Sequence, residues 1–170
     1  MLTDIRSLLK EYHKESYIWT LRCCLGNKEE AKEALQESYL KVLEGRAKFK
    51  GQSEFKTWLF AVIRITVADM RRKRIIQDIK NLELRELLNH LTSKVNYNVQ
   101  TETKNIHKQL LKSLSELSPK QQQVLGLVFY HNFTIEKAAT IMGISVGSAR
   151  THYERGKNNL RLKLNYKTKE

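Results

Sequence analysis

A helix-turn-helix pattern between residues 134 and 157 constrains the fold of this chain more than any other feature. Thr134 is placed to cap a first helix, and Gly143 follows where the chain must turn sharply, since glycine reaches positive φ at no steric cost. Ser145 is then placed to cap a second helix. The inner face of the first helix carries small or apolar side chains, namely Ala138, Ala139, Ile141 and Met142.

The second helix of this motif combines a close packing side with a basic outer side. Ala139 and Ala149 are small enough to let the two helices cross closely. A basic helix after a tight turn is suited to reading the major groove of DNA. The alternative is an ordinary helical hairpin with a solvated basic face. The polar and basic residues of the outer side are Ser148, Arg150, Thr151, His152, Arg155 and Lys157.

The charge distribution indicates two basic blocks rather than one. The chain has 170 residues and a net charge of +13, which favours a polyanionic partner. Residues 1–75 contain 16 Lys and Arg against 10 Asp and Glu, and residues 106–170 contain 11 against 4. The segment 76–105 contains four of each. This pattern predicts two DNA-contacting modules joined by a connector.

Several functional classes lack their sequence signatures. Cys23 and Cys24 are adjacent within a helical pattern, which predicts buried, reduced thiols in a cytoplasmic protein. The chain has no apolar run near 18 residues, so we expect no membrane insertion. It contains no phosphate-binding loop, no H-E-x-x-H motif and no C-x-x-C motif. We therefore predict no enzyme activity, no catalytic residues, no cofactor and no metal.

Helical periodicity divides the first 75 residues into three segments. The first ends near Gly26, and the second runs from about Lys28 to Ala47 with an inner stripe that includes Leu35, Tyr39 and Leu43. A loop follows at 48–53, and Ser53 is placed to cap a third helix that reaches about Arg74. The outer face of the second helix is acidic, with Glu30, Glu33 and Glu37 beside Lys41.

The remainder of the chain predicts a linker and a second helical domain. The region 76–105 weakens in periodicity and is interpreted as a flexible linker, although 78–91 is compatible with a helix. Ser118, Pro119 and Gln121 form a strong helix-start signal: a cap, a proline at the first position and glutamine at the third. The predicted fold is all-α, with two small helical domains at 1–75 and 106–170, the second containing the helix-turn-helix.

Two segments of the sequence resemble one protein family. The stretch from Glu30 to Val42, followed by Phe49-Lys-Gly and Phe55-Lys-Thr-Trp-Leu59, is similar to the domain of bacterial sigma factors that binds the promoter −10 element. The stretch from Leu117 to Leu125, with Gly143-Ile-Ser-Val-Gly-Ser148, resembles their −35-binding domain. The resemblance is to the extracytoplasmic-function class, which keeps only two of the sigma domains. The second segment alone also resembles response-regulator domains.

The resemblance implies a polymerase-binding surface on the second helix. In the family this helix docks on the coiled coil of the polymerase β′ clamp, which assigns polymerase binding to Glu30, Glu33, Gln36, Glu37 and Lys41. A solvated acidic face is the alternative. An acidic stripe in a strongly basic protein is poorly suited to DNA, so a protein partner is favoured.

The resemblance also assigns DNA contacts. The loop 48–53 is similar to the one that captures an unstacked base of the single-stranded −10 non-template strand. Phe49, Phe55, Trp58 and Phe60 are candidates for base stacking, but the spacing of Phe55 and Trp58 favours core packing. Ile65 stands where family members commonly have asparagine, so the −10 preference stays open. The implied −10 contacts are Lys48, Phe49, Lys50, Gln52, Lys56, Arg64, Arg71, Arg72 and Lys73.

These observations predict a sigma factor that binds core RNA polymerase through the β′ clamp coiled coil and the β flap. It would recognise the −10 and −35 elements of promoter DNA and help to melt the promoter. The −35 contacts would come from the basic side of the second helix in the motif. Most members have an anti-sigma factor, which makes one a candidate partner here. The alternatives are a helix-turn-helix regulator that does not join the polymerase and a nucleic-acid-processing enzyme with an unrecognised site.

Overall fold

The computed structural model describes residues 2–85 and 112–165, which we call the N-terminal half and the C-terminal half. Within these residues the chain forms α-helices and one π-helical segment, with no β-strand. The N-terminal half contains α1 (Leu2–Glu11), α2 (His13–Cys23), α3 (Lys28–Leu43) and α4 (Phe55–Arg85). The C-terminal half contains α5 (Pro119–Leu125), the π-helical segment Gly126–Tyr130, α6 (Ile135–Met142) and α7 (Val146–Asn165). The predicted all-α fold class is confirmed.

The first two predicted segments end where local backbone conformation changes. The first is divided at Tyr12 into α1 and α2. Asn27 then caps α3, since its side chain accepts a hydrogen bond from the Glu30 amide at 3.1 Å. The sequence prediction placed the end of α3 at Ala47, but the helix ends at Leu43 because Gly45 adopts a φ of +71°.

The third predicted segment differs from α4 at both ends. Ser53 does not cap it: α4 begins at Phe55, and the Ser53 hydroxyl donates to the carbonyl of Glu54 instead. At the other end the helix continues past Arg74 to Arg85, because residues 75–85 contain no glycine or proline to stop it. The first part of the predicted linker 76–105 is thus helical. The rest of it lies outside the described residues, and the domain boundaries stay predictions.

The helix-turn-helix forms with the predicted end groups. Ser118 and Gln121 make a reciprocal capping box at the start of α5. The Thr134 hydroxyl accepts from the Lys137 amide, and Gly143 has a φ of +62° at the turn. The Ser145 hydroxyl accepts from the Ser148 amide at 3.1 Å and begins α7.

Each half has a buried centre. In the N-terminal half, the indole of Trp19 stacks on Phe60 with ring centroids 5.7 Å apart and donates to the Phe60 carbonyl at 3.0 Å. Both side chains are fully buried. The centre of the C-terminal half is formed by small and branched side chains of α5, α6, α7 and the π-helical segment, namely Val124, Leu127, Ala138, Ile141 and Ala149.

The two halves pack against each other. Helix α4 contacts α6, and the buried apolar side chains of both halves belong to one continuous cluster. The charge pattern predicted two modules separated by a connector, but Phe60 of α4 and Phe133 of the C-terminal half bury each other at a centroid distance of 5.4 Å. The apolar surface that each half presents to the other explains the difference, since its burial removes it from water.

Candidate nucleic-acid and protein interfaces

Helix α7 presents a polar and basic face to solvent. Ser148, Arg150, Thr151 and Arg155 are exposed, whereas Ala149 is fully buried against the rest of the C-terminal half. The buried side of α7 therefore orients the predicted −35-contacting side chains outwards. His152, also predicted there, is half-buried.

Ion pairs on α7 restrain some of these cations and leave others accessible. Lys157 lies 3.4 Å from the Glu154 carboxylate and 5.1 Å from the centre of the Tyr153 ring. Arg150 lies 3.8 Å from Glu136 of α6, and both side chains are largely exposed. Arg155 has no ion pair with any other described residue. Its guanidinium is consequently the least restrained donor on this face.

The loop 48–53 is open to solvent at its tip and anchored by an aromatic cluster at its base. Lys48, Lys50 and Gln52 are exposed. Phe49 is half-buried, with its ring centroid 5.4 Å from Phe55 and 5.2 Å from Trp58. The prediction that Phe55 and Trp58 pack rather than stack on bases agrees with this geometry. Phe49 anchors the loop, which leaves its polar residues to meet a ligand.

The basic run near Arg71 divides into paired and free cations. Arg71 lies 3.2 Å from the Glu30 carboxylate, and Arg74 lies 2.5 Å from that of Glu33. Arg72 and Lys73 are exposed, and Arg72 makes only a 3.6 Å contact with Asp69 in the preceding turn. Arg72 and Lys73 are therefore the side chains of this run that are free to meet phosphate.

Lys56 and Arg64, two further predicted DNA contacts, are engaged by the C-terminal half. The Lys56 ammonium donates to the carbonyl of His131 at 3.3 Å and also pairs with Glu15. The Arg64 guanidinium donates to the carbonyl of Ile141 at 2.7 Å. In this arrangement neither cation is presented to solvent as the sequence prediction expected.

The predicted acidic outer face of α3 is only partly correct. Glu30 is 11 % exposed at its side chain and faces α4, where Arg71 pairs with it. Lys41 also faces α4 and donates to the Thr66 hydroxyl at 3.2 Å. The sequence prediction put these two residues on the outer face because the helical period alone does not reveal that α4 packs over that side of α3. Gln36 remains exposed, and Glu37 is about one-third exposed and pairs with Arg46 at 3.0 Å.

An apolar groove that the sequence prediction missed runs beside Gln36. It is open, has a volume of about 560 Å³ and joins α2 to α3. Leu40 and Leu43, which line it, are 40 % and 38 % exposed. The signal was present in the sequence as Leu40, an apolar residue outside the inner stripe. The lining residues are His13, Tyr17, Lys32, Leu35, Gln36, Tyr39, Leu40 and Leu43.

Ile65, the residue of α4 that leaves the predicted −10 preference open, is 49 % exposed. Cys23 and Cys24 are buried free thiols, and burial raises the pKa of Cys24 to about 11.

Among residues 2–85 and 112–165 there is no group of three or more His, Cys, Asp and Glu side chains that could hold a metal ion. The same residues include no helix both long and apolar enough to span a membrane.

Two family models match the chain, one in each half. The model of sigma-70 region 2 matches residues 8–75, and the model of sigma-70 region 4 matches residues 107–160. Together they cover more than two thirds of the chain, in the order that the sequence predicted.

Similar proteins include two from Bacillus subtilis strain 168. The RNA polymerase sigma factor YlaC is 27% identical over 95% of this chain and 91% of its own length. The ECF RNA polymerase sigma factor SigX is 26% identical over 91% of this chain and 80% of its own length.

Two solved structures share the fold. One is the sigma factor RpoE in complex with the anti-sigma factor NepR from Bartonella quintana, with a TM-score of 0.69 and 22% identity over 95% of this chain and 97% of that one. The other is CnrH in complex with the cytosolic domain of CnrY, with a TM-score of 0.60 and 16% identity over 94% and 86%.

Proposed function

The chain belongs to the extracytoplasmic-function group of the sigma-70 family and is an alternative sigma factor, and on this premise we propose how it engages polymerase and promoter. It binds core RNA polymerase, recognises the −10 and −35 elements and initiates transcription of a specific set of genes. The observation that carries the proposal is the presence of regions 2 and 4 in order on one chain, each with an exposed polar surface. A factor working with polymerase on chromosomal DNA acts in the cytoplasm.

The polymerase-binding surface is the groove beside Gln36. Leu40 and Leu43 supply exposed apolar contact area, and Lys32 and Gln36 supply polar groups in its lining. This composition, an apolar centre with a polar rim, is that of a protein-binding surface. We assign it to the β′ clamp coiled coil. Glu30 and Lys41 contribute indirectly, because their pairs with α4 hold α3 in place.

A second polymerase contact lies in the C-terminal half. Phe129 and Tyr130 are 61 % and 48 % exposed, and the Phe129 ring stacks on Tyr153 at 5.8 Å. Exposed aromatic side chains of this size are enriched at protein interfaces. We propose that this pair contacts the β flap.

The DNA contacts divide by half. The exposed face of α7, with Arg150, Thr151 and Arg155, reads the −35 duplex in the major groove. The exposed loop residues Lys48, Lys50 and Gln52 hold the single-stranded −10 element. Backbone phosphates are met by cations of α4 and α7, namely the exposed Arg72 and Lys73 and the half-buried Lys157.

In vitro transcription with purified core polymerase tests the proposal. Added protein should give promoter-specific transcripts from genomic templates. Leu40→Asp should abolish both the transcripts and the capture of core polymerase, because it places a charge in the apolar groove. Leu25→Asp is the matched control, since Leu25 is 66 % exposed on the same half but outside the groove.

Two outcomes would oppose the proposal. A protein that protects duplex DNA from cleavage but gives no promoter-specific transcript is the conventional regulator. Equal transcription by the Leu40→Asp and Leu25→Asp variants would remove the groove from the polymerase interface. An anti-sigma factor is a further proposed partner, since the Bartonella sigma factor of the same fold was solved in complex with one.

A further inference from the structure

One face of α4 is open to solvent around an apolar side chain. Trp58 and Val62 lie seven and four residues before Ile65, and Arg72 lies seven residues after it. With 3.6 residues per turn, these spacings put the four side chains on one side of the helix. Trp58 and Val62 are half-buried, whereas Ile65 is 49 % exposed. We call this side of α4 the Ile65 face.

Exposed cations lie at both ends of the Ile65 face. At one end the Trp58 ring lies 5.2 Å from Phe49, which joins this end to the loop 48–53 with its exposed Lys48 and Lys50. At the other end Arg72 is exposed, about 10 Å along the helix axis from Ile65. A nucleic-acid strand is held by cations along its backbone. A strand held at both ends of this face passes over Ile65.

The one acidic side chain on the Ile65 face is neutralised by its neighbours. Asp69 lies between Ile65 and Arg72, and its carboxylate is 3.7 Å from the Lys41 ammonium and 3.6 Å from the Arg72 guanidinium. Two cations thus surround one carboxylate, so the local charge does not repel a phosphate backbone. The composition of this face therefore suits an anionic strand with apolar groups on its bases.

The chemistry of Ile65 limits what it recognises on a base. Its side chain neither donates nor accepts a hydrogen bond, so it cannot read the polar groups of a base edge. The 5-methyl group of thymine is the apolar group on such an edge, and apolar side chains contact it. Contact removes both the methyl group and the exposed surface of Ile65 from water, which is favourable. Ile65 therefore favours thymine over bases that lack this methyl group.

We propose that Ile65 is a specificity-determining residue of −10 recognition, which contacts the 5-methyl group of one thymine in the single-stranded non-template strand. The loop 48–53 holds the nucleotides on one side of this thymine, and Arg72 meets the backbone on the other. The inference deepens the proposed function and rests on it in taking the loop and Arg72 as contacts of this strand.

Replacement of thymine by uracil tests the contact directly, because uracil lacks only the 5-methyl group and pairs with adenine in the same way. In a promoter found by in vitro transcription with core polymerase, each thymine of the −10 non-template strand is replaced in turn. We expect one position at which uracil lowers the yield of transcript about three- to fivefold, the effect of burying one methyl group. Every other position should be unaffected by the loss of the methyl group through Ile65.

Two variants with the same substitution show whether Ile65 is responsible. Ile65→Asn removes the apolar contact without changing the net charge, and it should transcribe the thymine and uracil templates equally at that position. Ile75→Asn is the matched control, since Ile75 is 58 % exposed on α4 but about 80° around the helix from Ile65. It should keep the three- to fivefold effect. Far-ultraviolet circular dichroism of both variants checks that the helices are retained.

Separate outcomes overturn the inference and the proposed function. A promoter with no position sensitive to the methyl group, or the same sensitivity in Ile65→Asn as in the parent protein, overturns the contact. Absence of any promoter-specific transcript refutes the sigma-factor mechanism instead. Binding of the full-length protein to oligothymidylate and to the matching deoxyuridine oligonucleotide then decides the contact by itself. An equal affinity for the two would overturn it, and a preference for thymine that Ile65→Asn loses would sustain it.

Discussion

At the scale of single residues, the accessibility of each cation decides what it can do. Arg155 is exposed on α7, whereas Lys157 is held by Glu154 and the Tyr153 ring. An unrestrained guanidinium can form a bidentate pair with guanine, whereas an ammonium already engaged by a carboxylate and a ring is better suited to a phosphate contact, as a point charge. The two side chains are therefore expected to make different contributions to promoter recognition.

Replacing Arg155 by alanine should reduce sequence preference at the −35 element by about 1–3 kcal/mol at one base pair. Lys157→Ala should weaken binding to every sequence alike and reduce the salt dependence. Binding to a panel of single-base promoter variants at two salt concentrations measures both effects. If Arg155→Ala weakened all variants by one common factor, it would be a phosphate contact only.

His131 makes the contact between the two halves sensitive to acid. Burial lowers its pKa to about 4, and the nearby charges of Lys56 and Arg22 act in the same direction. Glu15 opposes the shift, but its carboxylate lies 3.5 Å from Nδ1, and neither ring nitrogen has a hydrogen-bond partner among the described residues. The folded protein therefore keeps this histidine neutral where the unfolded chain would protonate it.

Stability should consequently fall as the pH decreases from 7 towards 4. The unfolded state binds the proton first, so the loss attributable to His131 is about 2 kcal/mol at pH 5. Thermal unfolding across this range measures it. His131→Asn, which does not titrate, should show a correspondingly flatter profile. An identical pH dependence in both proteins would exclude His131 as the source.

At the scale of helices, the ends show where local chemistry is sufficient. As the sequence predicted, a capping hydroxyl accepts a hydrogen bond from a backbone amide at Ser118, Thr134 and Ser145. Ser53 does not, because the chain enters α4 one residue later through Glu54. A capping residue has effect only when its hydroxyl reaches an unpaired amide of the first turn.

Removing the side-chain hydroxyl should therefore destabilise the protein at Ser118 but not at Ser53. Ser118→Ala should lower the free energy of unfolding by about 1 kcal/mol, because it removes the hydroxyl that accepts a hydrogen bond from the Gln121 amide. Ser53→Ala should change it by less than about 0.5 kcal/mol. Denaturant unfolding of both variants and of the parent protein measures the two changes. Equal losses would restore Ser53 as a cap.

At the scale of the whole molecule, α4 unites the two halves. One side of α4 contacts α3, since Arg71 pairs with Glu30 and Thr66 accepts a hydrogen bond from Lys41. Another side of α4 contacts the C-terminal half through Phe60 and Arg64. Since the buried side chains form one cluster, neither half can lose its structure without exposing apolar surface of the other. The halves should behave as one cooperative unit in the free protein.

Unfolding of the full chain should be a single transition. In a Trp58→Phe background, fluorescence reports Trp19, which lies 6.3 Å from the His131 ring across the interface. Its thermal midpoint should coincide with that of far-ultraviolet circular dichroism, which reports both halves. Phe133→Ala should separate the two midpoints. Two distinct transitions in the parent protein would contradict a shared core.

Much of the fold and part of the site could be predicted from the sequence. The helical period, the capping serines and threonine, and Gly143 specify the helix-turn-helix, because these signals act within a few residues of one another. The outward face of α7 follows from the buried Ala149 in the same way. The family match in both halves agrees with these local features.

Other features were decided by packing between distant segments. Glu30 and Lys41 belong by helical period to an outer face, but α4 covers them. Lys56 and Arg64 are cations of the kind that contact phosphate, but the C-terminal half supplies carbonyl partners for them 75 and 77 residues away. A local pattern determines which side chains share a helix face. Only the tertiary structure determines what that face meets, because burial and pairing depend on elements far apart in the chain.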